Sequence, residues 1–150
     1  MKVLVDTNVI LDLLLDRAPY AAAAAQLFSL IERHALSGCL CATTLTTVHY
    51  LATKVVGRKK SLEEIRKLLR LFEVAPVNRA VLEAALGAEG FGDFEDAVLH
   101  EAARQSDADA LVTRNEKDFK KAALPVYEPG ELIGIMIAQQ QEEPDDGSGL

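Results

Sequence analysis

In "VLVDTNVILDLL", residues 3–14, a carboxylate (Asp6) closes an apolar run that reads as a buried strand. Such a group is costly there unless it is paired, hydrated or holding a cation. Two other segments could supply partners. "DFEDAVLHEAA" opens with Asp93 and Asp96, and with His100 these stand at i, i+3 and i+7, on one face of a helix. "VTRNEKDF" brings Thr113, Arg114, Asn115 and Asp118 directly after a further apolar run. Oxygen donors from separate segments suit a hard divalent cation such as Mg²⁺ or Mn²⁺, with waters completing its shell. A cation held this way polarises a phosphoryl oxygen and supplies a hydroxide-like nucleophile near neutral pH. Structural roles are open to the same acids: Asp93 as an N-cap, Asp96 as a partner of the first-turn dipole, Asp118 as the cap of "FKKA". Asp6 is the hardest to account for in that way. Asp12, Asp16 and Glu32 read as solvated helix surface, and the three histidines as packing or surface residues.

The elements that must position these residues alternate between strand and helix. Residues 2–6 read as a strand too apolar to alternate, as expected when both of its faces are covered. "NVILDLLLDR" reads as a helix, and Pro19 opens another over 19–36. A strand over 39–43 precedes a helix over 44–56. Ser61 and Glu64 form a capping box that predicts a helix over 62–72. "FEVAPV" is a third strand, followed by a helix over 79–88 and the glycine-rich break "GAEGFGD". A helix over 94–106, a strand over 109–113 and a short strand in "PVYEP" come next, and Pro129 starts a terminal helix. This order implies the α/β class: a three-layer α/β/α sandwich around a mostly parallel sheet. Ligands of such sheets gather beyond the carboxyl ends of the strands. Asp6, Asn8, Thr43, Thr44, Thr46, Thr47, Thr113 and Asn115 all fall at that edge.

At 150 residues the chain reads as one domain over 1–138, with a polar tail over 139–150 expected to be disordered. No apolar run reaches the length of a membrane span, and "MKVLVDTN" lacks the pattern of a signal peptide, so the cytoplasm is the expected location. Cys39 and Cys41, at i and i+2, read as buried strand residues too close in sequence for a routine disulfide. A net charge of −7 argues against a nucleic-acid partner. Its distribution weakens the objection, because eleven of the 16 basic residues fall within 54–70 and 114–121.

The stretches "VLVDTNVILDLL", "DFEDAVLHEAA" and "ADALVTRNEKDF" resemble, in order and separation, the first, third and fourth motifs of the PIN domain. This is the metal-dependent ribonuclease fold of VapC-type toxins in bacterial toxin–antitoxin pairs. The resemblance implies Mg²⁺ or Mn²⁺ held by Asp6 and Asp96, with Asp93 and Asp118 as further ligands, and hydrolysis of RNA. Asn8, Thr47, Thr113 and Asn115 would be supporting polar groups. Thr47 stands where most members place a Glu. Arg58, Lys59, Lys60, Arg114 and Lys117 are candidates for holding the RNA backbone, and the few aromatic residues favour recognition by RNA shape. Implied partners are RNA, a small antitoxin protein and, from the apolar "ELIGIMIA", a second copy of the chain; no membrane is implied. A PIN-fold binding module with a weakened site is one alternative. A metal-dependent phosphatase is another, although such enzymes usually want an acid where Asn8 stands.

Overall fold

Alternate residues of each central strand face opposite ways, and helices cover both directions. The computed structural model describes residues 1–142. Its strands are β1 (Lys2–Val5), β2 (Ser37–Cys41), β3 (Glu73–Ala75), β4 (Ala110–Val112) and β5 (Val126–Tyr127). Its helices are α1 (Thr7–Leu14), α2 (Ala21–Glu32), α3 (Ala42–Val56), α4 (Arg58–Leu71), α5 (Arg79–Gly87), α6 (Phe94–Gln105) and α7 (Pro129–Glu142). Val3 and Val5 of β1, Leu40 of β2 and Val112 of β4 enter one apolar cluster, with side chains from α1, α2, α3, α4 and α7. Leu4, Cys39, Cys41 and Leu111 point the other way, into a cluster with α5 and α6. The three-layer sandwich expected from the alternation is therefore present, and both cysteines are buried in it.

The sheet order is β3-β2-β1-β4-β5, with every pairing parallel. From β1 the chain builds outward to β3, then resumes on the other side of β1 with β4. Strand order thus reverses between β1 and β4, which opens a crevice at their carboxyl ends. Asp6 follows β1 and Thr113 follows β4, so both border it.

Local signals misplace several boundaries. The capping box at Ser61 does not form: α4 already starts at Arg58, after Gly57 with φ +85°. Ser61 lies inside the helix, buried, and its hydroxyl is 2.8 Å from Nδ1 of His49 on α3. A tertiary contact has claimed the hydroxyl that a cap would need. α2 ends at Glu32, short of residue 36, and His34 just beyond it has a positive φ of 61°. α3 begins at Ala42, directly after β2. α7 continues to Glu142, past the boundary drawn at residue 138. Of the tail expected to be disordered, residues 143–150 lie outside the described residues. Leu132 and Ile133 of "ELIGIMIA" are buried in this chain's own core, while Ile137 is half exposed. Among the described residues no helix is long and apolar enough to cross a membrane.

Candidate active site at the carboxyl edge of the sheet

Asp6 is the N-cap of α1, in extended conformation, and one of its carboxylate oxygens accepts from the Thr7 N–H at 2.7 Å. The other accepts from the Thr113 hydroxyl at 2.8 Å. Its own N–H donates to the Val112 carbonyl at 2.9 Å. Two hydrogen bonds thus tie the residue after β1 to the end of β4 across the switch point. Asp6 is 8% exposed. Burial pushes its carboxyl above the usual range. The Thr113 and Thr7 hydrogen bonds pull it back, and the charges of Glu95 and Asp118 push it up again.

The first turn of α6 brings the second group of acids. Asp93 is the N-cap and accepts from the Asp96 N–H at 2.8 Å, so the capping reading of Asp93 is correct as far as it goes. The Asp96 carboxyl is pushed up to about 7 by burial, then by the charges of Asp93 and Asp6, a hydrogen bond with Asp93 and the charge of Asp118. Asp118 comes from a 3₁₀ turn over Glu116–Phe119, beyond β4. Its carbonyl accepts from the Gly92 N–H at 3.0 Å. A β-carbon at Gly92 would stand 2.6 Å from an Asp118 carboxylate oxygen and 2.7 Å from one of Asp96. The missing side chain is what lets these two carboxylates approach.

Like charges crowded together are the arrangement that a cation relieves, and the cradle left by Gly92 gives it room. Among the described residues, no three of Asp6, Asp93, Asp96 and Asp118 bring carboxylate oxygens all within 4.8 Å of one another. Neighbouring ligands on an octahedral Mg²⁺ sit about 3 Å apart. The set therefore fits an ion that keeps several of its waters, bound directly by one or two carboxylates. A tighter acidic trio, Glu116, Glu128 and Glu131, includes none of these four acids. There Glu116 and Glu131 both accept from the Glu128 N–H, each at 3.1 Å.

The supporting residues divide. Thr113 accepts from the Asn115 N–H at 3.1 Å while donating to Asp6, which makes a relay of Asn115, Thr113 and Asp6. Asn8 carries a buried side-chain oxygen with no hydrogen-bond partner among the described residues. Thr47 lies one turn after Thr44, whose hydroxyl is 3.0 Å from that of Thr7. It therefore shares the helix face turned towards the start of α1. Lys117 is exposed beside Asp118. Arg58, Lys59 and Lys60 open α4, where Lys60 pairs with Glu64 at 3.2 Å. Lys60 also lines a recess with Leu13, Leu14 and Leu15. That recess is at the carboxyl end of α1, about 12 Å of helix away from Asp6.

Asp12 is not the solvated surface acid that its helix position suggested. It is 1% exposed and accepts from Nε of Arg17 at 2.9 Å and from Nε and Nη2 of Arg114. Two guanidinium groups make its burial tolerable. Arg114 also lies 4.0 Å from the centre of the Tyr20 ring, so it is held in place rather than free to sweep for a phosphate. Glu95 and Gly92 are the residues of this region that sequence reasoning missed. Glu95 stands between two acids that were found, and Gly92 was seen only as part of a break.

A family model described as PIN domain matches residues 2–117. Ribonuclease VapC1 of Aquifex aeolicus is 28% identical over 122 residues, covering 79% of this chain and 83% of the relative. A toxin–antitoxin complex from Klebsiella pneumoniae contains a chain 26% identical, with a TM-score of 0.63 over 85% of this chain and 97% of that one. Mycobacterium tuberculosis VapC20, a sarcin–ricin loop cleaving toxin, shares the fold. It has 16% identity and a TM-score of 0.63 over 81% of this chain and 95% of that one.

Proposed function

This chain belongs to the PIN domain family, and from that premise we propose that it is a divalent-metal-dependent endoribonuclease. The observation that carries the reading is the meeting of like-charged acids at the β1–β4 switch point, where Asp96 is pushed up to about 7. In this proposal Asp6, Asp96, Asp93 and Asp118 hold Mg²⁺ or Mn²⁺, part of the contact running through water. When bound, the cation polarises the phosphodiester and lowers the pKa of water. Thr113 and Thr7 fix the Asp6 carboxylate while leaving lone pairs spare. Lys117 and, farther out, Arg58, Lys59 and Lys60 hold the RNA backbone electrostatically.

A toxin of a toxin–antitoxin pair, acting in the cytoplasm with a small antitoxin as partner and a second copy of itself, is the biological setting we propose. The relatedness to Ribonuclease VapC1 and to the Klebsiella complex supports it. One observation favours the second reading, a weakened binding module: the neutral Thr47 stands where the resemblance places a Glu in most members. Both readings meet in one assay, cleavage of structured RNA titrated with Mn²⁺ for wild type, Asp96→Asn and Thr47→Glu. The nuclease reading expects Mn²⁺-dependent cleavage that Asp96→Asn abolishes and that Thr47→Glu shifts to lower Mn²⁺. Cleavage unaffected by Asp96→Asn would mark a contaminating nuclease, and no cleavage by any of the three would leave the binding module.

A further inference from the structure

Beside the acidic crevice lies a second opening, of about 430 Å³, a size usual for small-ligand sites. Asn115 lines it, and the Asn115 N–H bonds the Thr113 hydroxyl that in turn bonds Asp6. The cavity wall and the candidate metal site are therefore two hydrogen bonds apart. Tyr20 and Arg114 line the opening too, and the Arg114 guanidinium lies over the Tyr20 ring, 4.0 Å from its centre. Buried Asp12 locks that guanidinium by two hydrogen bonds. The stack is still open to a ligand, since Tyr20 is 45% exposed and the Arg114 side chain 24%. Glu128 and Pro129 line the opening as well.

This chemistry discriminates among the parts of a nucleotide. A phosphate would meet a guanidinium already shared with Asp12 and a further carboxylate, Glu128, in the lining. A nucleobase would meet an aromatic ring and a guanidinium already held together, groups on which bases stack, and a carboxylate among the lining residues as an acceptor for its N–H groups. Because Asp12 and Tyr20 already hold Arg114, little ordering remains to be done on binding. We propose that Tyr20 and Arg114 form a base-stacking subsite that seats one nucleobase of the RNA next to the scissile phosphodiester. The proposal rests on the ribonuclease reading, and it makes Tyr20 a determinant of where the strand is cut.

The test uses short RNAs carrying 2-aminopurine at successive positions. Its fluorescence falls on stacking, and EDTA keeps cleavage from intervening. Wild type should quench the label at one position. Tyr20→Ala and Tyr20→Leu should lose the quench and bind the RNA about tenfold more weakly, while Tyr20→Phe keeps both. Tyr20→Leu retains apolar bulk against Arg114, so it reports on the ring face even where Tyr20→Ala folds poorly. RNA binding without a quench at any position, or equal quenching by wild type and Tyr20→Leu, would overturn the subsite. So would loss of the quench in Tyr20→Phe. Wild-type cleavage in Mn²⁺ accompanied by any of these results would leave the ribonuclease reading standing, whereas no binding and no cleavage would remove both.

Discussion

Replacing Asp96 with Asn should stabilise the metal-free protein, the reverse of what loss of a helical hydrogen-bonding residue usually does. Asp96 has a folded pKa raised to about 7 by burial and by the charges of Asp93, Asp6 and Asp118. Between its ordinary value and about 7 the folded state binds the extra proton, so stability falls as pH rises through that window. The rise from 3.8 to about 7 corresponds to about 4 kcal/mol, at about 1.4 kcal/mol per pH unit. Asp96 is partly exposed, and solvent screening brings the figure to about 2 kcal/mol. For a chain of this length that is about 5 °C in melting temperature. Thermal unfolding in EDTA, for wild type and Asp96→Asn, reads the difference from about pH 5 to pH 8. The gap should narrow towards the acid end, and the variant should melt clearly higher at the alkaline end. Millimolar Mn²⁺ should then raise wild type and leave Asp96→Asn nearly unmoved. A variant less stable than wild type near pH 8 without metal would refute the reasoning, because Asp96 would then be paired rather than repelled.

Three further outcomes follow from neighbouring contacts. Asp12→Ala strands two guanidinium groups, so urea unfolding should show a loss of about 3 kcal/mol, with the midpoint lowered and the slope unchanged. Gly92→Ala places a methyl group against the Asp96 and Asp118 oxygens; calorimetry should show about 1–3 kcal/mol lost and a smaller upward shift with Mn²⁺. Thr113→Val removes the one side-chain donor to Asp6 among the described residues. Denaturant titration should show a cost of about 1–3 kcal/mol near neutral pH, shrinking in acid as Asp6 becomes protonated.

The parts of the site that were legible in the sequence are those where local pattern and function coincide. Asp6 stood out because the apolar run Val3-Leu4-Val5 leads directly into it, and the structure gives that strand helices on both faces. Asp93 and Asp96 stood out because a glycine-rich break precedes an acid pair at helical spacing. Asp12 did not, since its partner Arg114 lies 102 residues away and leaves no trace in any helical period. Ser61 misled for the same reason: a valid capping signal yields when a tertiary partner, His49, takes the hydroxyl. Gly92 shows a further limit, because the tightness that needs glycine there is set by Asp118, on a different segment. Topology followed from alternation, but the order that puts β1 beside β4, and so Asp6 beside Thr113, became visible only in the assembled sheet.

The account stands on a divalent cation held by acids of the β1–β4 crevice. Mn²⁺ titration followed by electron paramagnetic resonance tests this most directly, because the six-line signal of free Mn²⁺ disappears on binding. Wild type, Asp6→Asn, Asp96→Asn and the double variant Glu116→Gln/Glu131→Gln would be compared. The account predicts saturable binding by wild type and by the Glu116/Glu131 variant, and at least tenfold weaker binding by Asp6→Asn and Asp96→Asn. Binding that survives both aspartate substitutions and disappears with the glutamates would place the cation outside the crevice and contradict the account.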